Sequence, residues 1–466
     1  MAVWSIVNNS LVSHHLGRID AEYYKEESLQ AYDYVKVGKY VFLGNLVKDG
    51  YRVVYENTKI LNPESVDKQR DVRFLQATNV SDDGLWIDVK GIGFVSEKDW
   101  DKYPKGRIKS GELLIEVKGQ AEKVTIVQEY MPKRTLVTGT LFKLTIDEKS
   151  VTPEYIFAYF SCKYGKILRD RTKVNTLISY VSKPELYSIP VPIFEDSIDE
   201  ITSIIRESYS LSIRSHSLYN QAETLLAKEL QLDQLKLPNK KWYTADYCEV
   251  NKERRINAEY FSPDVYCILS QDFLKEAVTI NDVFEIIRGY TPKCYYQSGV
   301  PVVKTKNVRT PNVDKKRISD YADSQEPLTQ TREDDLILAA MGVGSLGRMS
   351  YVTDKETNCA IDGTLRILRK KDLSLSDIEI PTMLFLSTEV GQKLIYRGIS
   401  GTTGIISLPD DYLARIPIPV FEKSVRRKVT ELVQNSIKAK NQSEQLLAQA
   451  KHRVEELIEQ EANKHK

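Results

Sequence analysis

The chain has 466 residues and a formal net charge of +1 at pH 7, with 41% hydrophobic and 28% charged residues. A chain of this length can bury a sizeable core and is expected to form more than one domain, while its near-neutral charge favours no class of partner. Apolar stretches stay below the roughly 18 residues of a membrane helix and the five cysteines form no CxxC pair, so we expect a cytoplasmic protein without membrane contact, disulfides or structural zinc.

Two short segments of the first half return in the second half. Residues 18–24 (RIDAEYY) return as residues 255–261 (RINAEYF), with five of seven positions identical. Residues 189–194 (IPVPIF) return as residues 416–421 (IPIPVF), and each copy stands just before a long helical pattern. Because proline is excluded from the interior of a helix, these prolines mark where each helix begins. The offsets of 237 and 227 residues indicate a duplication of the whole chain.

The stretch between these markers follows the same pattern in both halves. Residues 111–115 (GELLI) align with residues 334–338 (DDLIL) as strand-like runs, at an offset that also places Gly119 on Gly342. Each half is therefore predicted to contain a mixed α/β globule. Residues 342–347 satisfy the dinucleotide pattern GxGxxG, but the β-rich context and the counterpart at Gly119 predict a turn between two strands instead.

Two stretches of the chain carry apolar and small residues in alternating steps of three and four, as in the seam of a coiled coil. Within residues 197–232 the seam residues are Ile201, Ile204, Ser208, Leu211, Ser215, Leu218, Ala222 and Leu225. Near the other end of the chain they are Val425, Val429, Leu432, Ser436, Ala439, Ser443, Leu446 and Ala450. Residues 220–227 (NQAETLLA) also return as residues 441–448 (NQSEQLLA), with six of eight positions identical. The sequence thus supplies two long helices that can pair with each other.

The predicted fold class is α+β, with two mixed α/β globules and two long helices. Residues 1–194 form the first globule and residues 195–235 the central helix. Residues 236–254, which are charged and contain a proline, form a joint between the halves. Residues 255–421 form the second globule, and residues 422–466 form the C-terminal helix.

The repeated sequence segments lie at the borders of the globules, whereas the globules themselves differ in sequence. Gly289-Tyr290-Thr291-Pro292 resembles a GxTP motif, Asp335-Leu336-Ile337 resembles a strand ahead of a glycine-rich turn, and Ile416-Pro417-Ile418-Pro419 resembles a domain boundary, all three of one family. With these motifs, essentially the whole chain resembles the specificity subunit of a Type I restriction-modification system. The first globule contains no GxTP motif.

The resemblance implies a non-catalytic DNA-recognition subunit. In that family two target-recognition domains form a pseudo-twofold repeat, the two long helices pair as an antiparallel coiled coil, and each domain reads half of a split site in double-stranded DNA. The resemblance also implies two methyltransferase (modification) subunits as partners, which carry S-adenosylmethionine and methylate adenine N6. Complete complexes add a restriction subunit that translocates DNA. For this chain itself we expect no catalytic residue, no metal and no bound cofactor.

Candidate DNA contacts come from runs of cations that contain aromatic and amide side chains. Residues 288–317 hold eight cations and one anion, which suits a phosphate backbone. In this run, the GxTP motif included, the candidates are Tyr290, Thr291, Lys293, Lys304, Lys306, Asn307 and Arg309. Asn307 is of the type that pairs with an adenine edge. Weaker runs of the first half contribute Lys105, Arg107, Arg169, Arg171 and Lys173.

Each of these interpretations has a plainer alternative. The cations can belong to a solvated, lysine-rich surface, and an asparagine in a loop commonly caps a turn. Two other functions also remain open. A stand-alone DNA-modifying enzyme would need a glycine-rich cofactor loop and a catalytic motif, and neither is visible in the sequence. A coiled-coil DNA-binding repressor would have no methyltransferase partner.

Overall fold

The computed structural model describes residues 12, 18–52, 58–62, 65–67, 72–174, 179–238, 240, 242–371, 375–401 and 406–465. The chain divides into two compact units. The first unit consists of Met1–Arg214 together with Ala439–Lys466, and the second unit consists of Ser215–Lys438. Each unit contains helices and strands, so the predicted α+β class is confirmed. The domain boundaries given above remain a prediction.

The described strands of the first unit form two larger sheets and two strand pairs. They are β1 (Tyr40–Phe42), β2 (Val47–Tyr51), β3 (Val72–Leu75), β4 (Gly93–Val95), β5 (Leu113–Glu116), β6 (Lys118–Gly119), β7 (Val124–Ile126), β8 (Thr135–Val137), β9 (Leu141–Ile146), β10 (Ser179–Tyr180) and β11 (Pro190–Pro192). The antiparallel sheet has the order β2-β9-β5-β7, with Leu113 opposite both Leu144 and Ile126. The second sheet has the order β4-β3-β8, in which β3 and β8 are parallel. The pairs are β1-β11 and β6-β10.

The second unit contains two larger sheets and one strand pair among its described residues. Its strands are β12 (Val278–Thr279), β13 (Phe284–Arg288), β14 (Val300–Val303), β15 (Tyr321–Ala322), β16 (Leu336–Ala339), β17 (Met349–Tyr351), β18 (Ala360–Ile361), β19 (Leu365–Lys370) and β20 (Pro417–Ile418). The antiparallel sheet has the order β13-β19-β16-β17, with Ile337 opposite both Ile367 and Ser350. The second sheet has the order β15-β14-β18, in which β14 and β18 are parallel. The pair is β12-β20.

Two of the helices are much longer than the others. These are the central helix, Ile198–Glu229, and the C-terminal helix, Lys423–Lys464. The shorter helices are Glu26–Val37, Leu43–Leu46, Glu97–Lys102, Pro153–Ser161, Lys163–Thr172, Lys183–Tyr187, Tyr247–Glu253, Pro263–Leu269, Ile280–Val283, Glu379–Ser387, Glu389–Arg397 and Asp410–Arg415. Both long helices lie where the heptad patterns predicted helices.

The core of each unit forms around its antiparallel sheet. All four residues of β5 are buried, and so are all four of β16, as expected for central strands rich in leucine and isoleucine. In the first unit, the helix Pro153–Ser161 packs onto this sheet with buried aromatic side chains. Tyr155 and Tyr159 donate hydrogen bonds to the carbonyl groups of Pro192 and Pro190, at 2.8 and 2.7 Å. The prolines ahead of the central helix thus form part of the core.

Serine side chains join the two long helices inside each unit. In the first unit, Ser208 Oγ donates to the carbonyl oxygen of Ser443 at 2.8 Å, and Ser443 Oγ donates to that of Ser208 at 2.6 Å. Arg453 Nε also lies 3.3 Å from Glu200 Oε2, so the two helices run antiparallel in this unit. In the second unit, Ser436 Oγ donates to the carbonyl oxygen of Ser215 at 2.8 Å. Small side chains at these positions let the two backbones come close enough for such bonds.

The central helix buries more than the predicted seam. Ile205 and Tyr209, which lie beside the seam, pack into the core of the first unit. Tyr209 Oη donates to the carbonyl oxygen of Gly84 at 3.0 Å and accepts from the backbone N–H of Ile126 at 3.0 Å. The seam residues Ile204 and Leu211 are only half-buried. The buried stripe is therefore wide enough to contact both the partner helix and the sheet of the same unit.

Membrane-spanning helices and groups of side chains that could bind a metal ion are both absent from the described residues. None of the described helices combines the length and the apolarity that crossing a bilayer requires. Among the same residues, no group of three or more His, Cys, Asp or Glu side chains is arranged to hold a metal ion.

Candidate nucleic-acid interface

The GxTP loop of the second unit is fixed against the segment that leads into β19. The backbone N–H groups of Gly289 and Tyr290 donate to the carbonyl oxygens of Leu365 and Ile361, at 3.1 and 3.0 Å. A Cβ atom on Gly289 would lie only 2.1 Å from the carbonyl oxygen of Asp362, so this close approach requires glycine. Thr291 Oγ1 accepts from the backbone N–H of Gly363 at 3.2 Å. The loop is therefore held by specific bonds at its glycine and its threonine.

Two predicted lysines meet around one carboxylate, and we call Lys304, Lys306, Tyr295 and Asp320 the lysine cluster. Lys304 Nζ lies 3.5 Å from Asp320 Oδ2 and 3.5 Å from the centre of the Tyr295 ring. Lys306 Nζ lies 3.3 Å from the same carboxylate oxygen. The structure thus brings a carboxylate from further along the chain to two neighbouring cations and places an aromatic ring beside one of them.

The electrostatics of the lysine cluster follow from these distances. Burial by itself raises the pKa of Asp320, but the hydrogen bond from Lys306 and the charge of Lys304 together lower the pKa below its ordinary value. Burial and the nearby carboxylate of Asp362 raise the pKa of Tyr295 to about 12. Tyr295 is accordingly a neutral phenol, and it donates to Asp362 Oδ2 at 3.2 Å. Because two ammonium groups share one carboxylate, the two lysines and Asp320 together keep a net positive charge.

Asn307 has a structural role that differs from the expected base contact. Its side chain is 1% exposed. Its Oδ1 accepts from the backbone N–H of Lys304 at 3.0 Å, and its Nδ2 donates to the carbonyl oxygen of Asp314 at 3.4 Å. These bonds cap the short 3₁₀ helix Thr305–Asn307 that follows β14. The amide can reach a base edge only if this turn opens, so the plainer alternative of a turn cap fits Asn307.

The remaining candidates of the second unit are half-buried or exposed. Tyr290 is half-buried, and Lys293 is exposed with its backbone N–H donating to Glu326 Oε2 at 3.0 Å. Arg309 is half-buried, and its backbone N–H donates to Ser350 Oγ at 2.8 Å. The Lys293 bond is made by its backbone alone, whereas the guanidinium of Arg309 also donates through Nη1 to the carbonyl oxygen of Val308 at 3.1 Å.

Arg348 is a further cation near Arg309 that the sequence reasoning missed. It is exposed, and burial of part of its side chain together with the charge of Arg309 lowers its pKa. Arg348 directly follows residues 342–347, which connect the antiparallel strands β16 and β17. Gly342, Gly344 and Gly347 all have positive φ there, so the prediction of a strand-to-strand turn is confirmed. A cation next to a turn that projects from a sheet was the signal available in the sequence.

Among three other candidates of the first unit, Lys105 is exposed, whereas Arg107 and Lys173 each have a carboxylate partner, Asp101 and Asp170. Lys105 is exposed in the 3₁₀ turn Pro104–Gly106. The guanidinium carbon of Arg107 lies 4.3 Å from the centre of the Trp100 ring, and its Nη2 donates to the Trp100 carbonyl oxygen at 2.9 Å. Lys173 Nζ lies 2.7 Å from Asp170 Oδ1, with most of its side chain buried. Lys105 has the most accessible side chain of the three.

Arg169 and Arg171 lie inside the first unit, in contrast to the predicted DNA contact. They are 5% and 4% exposed. Arg169 donates to the carbonyl oxygens of Glu122 and Phe160 at 2.9 and 3.1 Å, and burial lowers its pKa to about 10. Arg171 Nε donates to the carbonyl oxygen of Tyr23 at 3.0 Å, and its guanidinium lies 4.1 Å from the centre of the Tyr23 ring. Both guanidinium groups thus bind protein atoms and are shielded from a ligand.

The second unit contains the same arrangement as Arg171 and Tyr23. Arg397 Nε donates to the carbonyl oxygen of Tyr260 at 2.9 Å, and its guanidinium lies 4.1 Å from the centre of the Tyr260 ring. Tyr23 and Tyr260 hold the same position in the segments RIDAEYY and RINAEYF. The arginines therefore serve to hold these segments in place.

The first unit also contains a counterpart of the turn that presents Lys304 and Lys306. Asn79 Oδ1 accepts from the backbone N–H of Gln76 at 3.0 Å and caps the 3₁₀ helix Ala77–Asn79 that follows β3. The text around it, LQATNV at residues 75–80, matches VKTKNV at residues 303–308 in its last two letters. Gln76 and Thr78 occupy the positions of the two lysines. The sequence reasoning missed this turn because only its capping asparagine and the following valine are shared.

An ion pair with a buried carboxylate supports the antiparallel sheet in each unit. Lys143 Nζ lies 2.7 Å from Glu112 Oε1 in the first unit, and Arg369 Nη2 lies 2.7 Å from Asp335 Oδ2 in the second. The same carboxylates accept from backbone N–H groups at the preceding turn, each at 2.7 Å. Both carboxylates are thus occupied by structural contacts.

No model of a known protein family matches the chain, and no curated protein matches it. Solved structures do. The S subunit of the Type-I restriction-modification system from M. genitalium is 12% identical, with a TM-score of 0.44, and the match covers 91% of this chain and 95% of that chain. The HsdS subunit from Thermoanaerobacter tengcongensis is 14% identical, with a TM-score of 0.29, and the match covers 91% of this chain and 96% of that chain. The chain is similar to Type I S subunits. The type IIG restriction endonuclease BpuSI, at 9% identity and a TM-score of 0.31, matches over 42% of this chain and 29% of its own.

Proposed function

We propose that the chain is a non-catalytic, sequence-specific DNA-recognition subunit that reads a bipartite site in double-stranded DNA. In this proposal each unit carries one target-recognition domain, and the two domains form a pseudo-twofold repeat. The central and C-terminal helices pair as an antiparallel coiled coil and set the distance between the half-sites. The chain recruits two adenine-N6 methyltransferase subunits, which carry S-adenosylmethionine, and complete complexes add a restriction subunit.

One observation carries the proposal. The two units have corresponding strand orders and arginine–tyrosine contacts, but they carry different side chains at a corresponding turn. The antiparallel sheets have corresponding strand orders, β2-β9-β5-β7 and β13-β19-β16-β17, and the smaller sheets correspond in the same way. The hydrogen bond from Arg171 to the carbonyl oxygen of Tyr23 matches the hydrogen bond from Arg397 to the carbonyl oxygen of Tyr260. Two units with the same sheets and the same arginine–tyrosine contacts are expected in a protein that has two related binding domains.

The presented side chains differ at one corresponding turn. In the second unit this turn carries Lys304 and Lys306, whereas in the first unit it carries Gln76 and Thr78. The two asparagine caps hold both turns in the same conformation. Two domains with the same strand order and different contact side chains would bind two different half-sites.

The charge of the lysine cluster supports DNA as the ligand. Lys304 and Lys306 share Asp320, and the exposed Arg348 lies near Arg309. Cations on turns beside a sheet can neutralise phosphates, while an exposed ring such as that of Tyr295 adds a stacking surface. Phosphate contacts orient the protein, and base contacts made by neighbouring loops provide the specificity.

The two long helices support a spacer role. The central helix has 32 residues, which corresponds to about 48 Å of helix axis. Its serine contacts to the C-terminal helix occur in the first unit at Ser208 and in the second unit at Ser215. One continuous helix thus contributes to both units, and its length would fix the separation of the half-sites.

The proposal is tested by giving the turn of the second unit the residues of the first. Because phosphate contacts hold the second unit on its half-site, Lys304→Gln combined with Lys306→Thr should lower the occupancy and therefore the enrichment of one half-site, and leave the other half-site and the spacer unchanged. The measurement is selection from a random DNA library by the purified full chain, followed by sequencing. A control variant, Lys275→Gln with Lys428→Gln, changes charge equally at exposed positions of the second unit. Selection of a single continuous site by the unaltered chain would contradict recognition of a bipartite site.

A further inference from the structure

Two isoleucines at the same position of the repeated segment lie almost entirely in solvent. Ile19 of RIDAEYY is 86% exposed, and Ile256 of RINAEYF is 94% exposed. A single exposed isoleucine is common on protein surfaces and needs no explanation. The same large apolar residue at the same exposed position of two otherwise different units does need an explanation. Packing within the chain gives no reason to retain it.

The neighbouring retained residues do have a reason within the chain. Arg18 donates through Nη1 and Nη2 to the carbonyl oxygens of Thr172 and Lys173, at 3.1 and 2.9 Å, where a helix ends. Arg255 donates in the same manner to the carbonyl oxygens of Ile399 and Gly398, at 3.2 and 3.1 Å. The arginines therefore cap the corresponding helices of the two units.

The capping bonds also fix the backbone next to each isoleucine. The guanidinium of Arg18 lies 4.4 Å from the centre of the Tyr23 ring, and that of Arg255 lies 5.1 Å from the centre of the Tyr260 ring. Both tyrosines are buried. Each isoleucine thus stands on a segment that is anchored on both sides, so little backbone freedom remains to be lost when a partner binds.

The charges around the two isoleucines favour a protein over DNA. The single cation of residues 18–22, and that of residues 255–259, is the arginine that binds the helix carbonyl groups, although the exposed Arg254 directly precedes the second of these segments. Glu22 and Glu259 occupy the same position and are exposed, although Lys25 forms an ion pair with Glu22 in the first unit. Exposed carboxylates repel a phosphate backbone, whereas an apolar side chain with an acidic neighbour fits an apolar protein pocket with a cationic rim.

We propose that Ile19 and Ile256 are the anchors of two equivalent docking surfaces, one on each unit, and that the two surfaces bind two copies of the same methyltransferase subunit. The occupants are copies of one protein because both units retain the same isoleucine and glutamate while their DNA-facing turns differ. Each copy inserts the isoleucine into an apolar pocket, and in the second unit it also places a cation beside Glu259. This inference rests on the proposed function.

The test measures how many methyltransferase subunits the full chain holds. The chain is co-expressed with an adenine-N6 methyltransferase subunit from the same genome, and native mass spectrometry gives the stoichiometry of the purified complex. The unaltered chain should hold two subunits, Ile19→Asp and Ile256→Asp should hold one each, and the double variant should hold none. The affinity of an altered surface should fall by roughly tenfold to a hundredfold, as expected when an isoleucine side chain is no longer buried by the partner.

Control measurements separate the outcomes. Ile60→Asp in the first unit and Val343→Asp in the second alter other exposed apolar residues and should leave two subunits bound. DNA binding and thermal unfolding of the chain alone should be unchanged in the isoleucine variants. Retention of two subunits by the variants would overturn the docking surfaces while leaving the proposed function intact. Loss of DNA binding by the isolated variants would show that the isoleucines contact DNA, which also overturns the inference. Failure of the unaltered chain to bind the methyltransferase would refute the partner given under the proposed function itself.

Discussion

Single side chains decide what the turn after β14 can present. Asn307 closes the turn from inside, and Lys304 and Lys306 project from it toward Asp320. The sequence identified all three residues, but it predicted that the asparagine contacts a DNA base. Spacing alone does not separate the two roles, because a capping asparagine and a base-reading asparagine both occur among cations in loops. The buried amide with two backbone partners indicates the structural role.

Asn307→Ala should therefore act on stability. Two backbone groups would lose their partner, which should lower the free energy of unfolding by about 1–2 kcal/mol. Urea unfolding of the full chain measures this loss. Asn307→Asp, which keeps the acceptor for the N–H of Lys304, is the matched control and should cost less. A variant of unchanged stability with relaxed preference at one base position would restore the base contact.

Because Asp320 pairs with both lysines, we expect substitution of the lysines and substitution of Asp320 to have opposite effects on DNA binding. Replacing Lys304, Lys306 and Arg309 by alanine should weaken DNA binding and flatten its salt dependence, by about 0.9 in the log-log slope for each phosphate that is no longer neutralised. Asp320→Asn should strengthen binding and steepen the slope, because both lysines lose their internal partner. Titrations at several salt concentrations measure both slopes. If all slopes were equal, the cluster would be a solvated surface without phosphate contacts.

At the scale of elements, the sequence reveals helices and borders better than charged surfaces. The heptads placed both long helices because their periodicity extends over many turns. The cationic run at residues 163–173 was assigned to a DNA contact, yet it forms a helix whose arginines point into the core. A charge run does not show which face of a helix is covered. The missing signal was the correspondence of Arg171 with Arg397, which becomes visible only when both contacts to the tyrosines are seen.

The register of the long helices allows their length to be changed without loss of pairing. Ser215 pairs with Ser436, so the position seven residues further along one helix, Ala222, comes opposite Val429. One heptad inserted between Leu218 and Ala222, with another between Val429 and Val433, should keep the packed residues in phase. The axis lengthens by about 10.5 Å, or roughly three base pairs. Sequencing of selected DNA should show a longer spacer with the same half-sites.

A four-residue insertion at the same two places is the control for the heptad insertion. It rotates each buried stripe away from its partner, so it should lower stability instead of moving the spacer. An unchanged spacer in an active heptad variant would mean that the helices do not set the distance. Altered half-sites would mean that the helices take part in reading bases.

At the scale of the whole molecule, the prediction concerns what the chain does alone. The carboxylates of Glu112 and Asp335 are each occupied by an ion pair and by a backbone N–H group. The purified chain should bind DNA but neither methylate nor cleave it, and methylation should appear when the methyltransferase subunit and S-adenosylmethionine are added. Transfer of labelled methyl groups to DNA is the measurement. Methylation by the chain alone would favour the stand-alone enzyme, and DNA binding without any methyltransferase partner would favour the repressor.

The composition of the first unit has a consequence for how the protein is made. This unit needs Ala439–Lys466, whose Leu447, Val454 and Ile458 belong to its core, whereas the second unit is one uninterrupted stretch of chain. During translation the ribosome finishes the second unit before the last piece of the first emerges. At about 5–20 residues per second, the first unit waits roughly 10 to 45 seconds with that part of its core open. A nonsense codon just before Ala439 should therefore yield a product in which the second unit folds, while chaperones and proteases recognise the first.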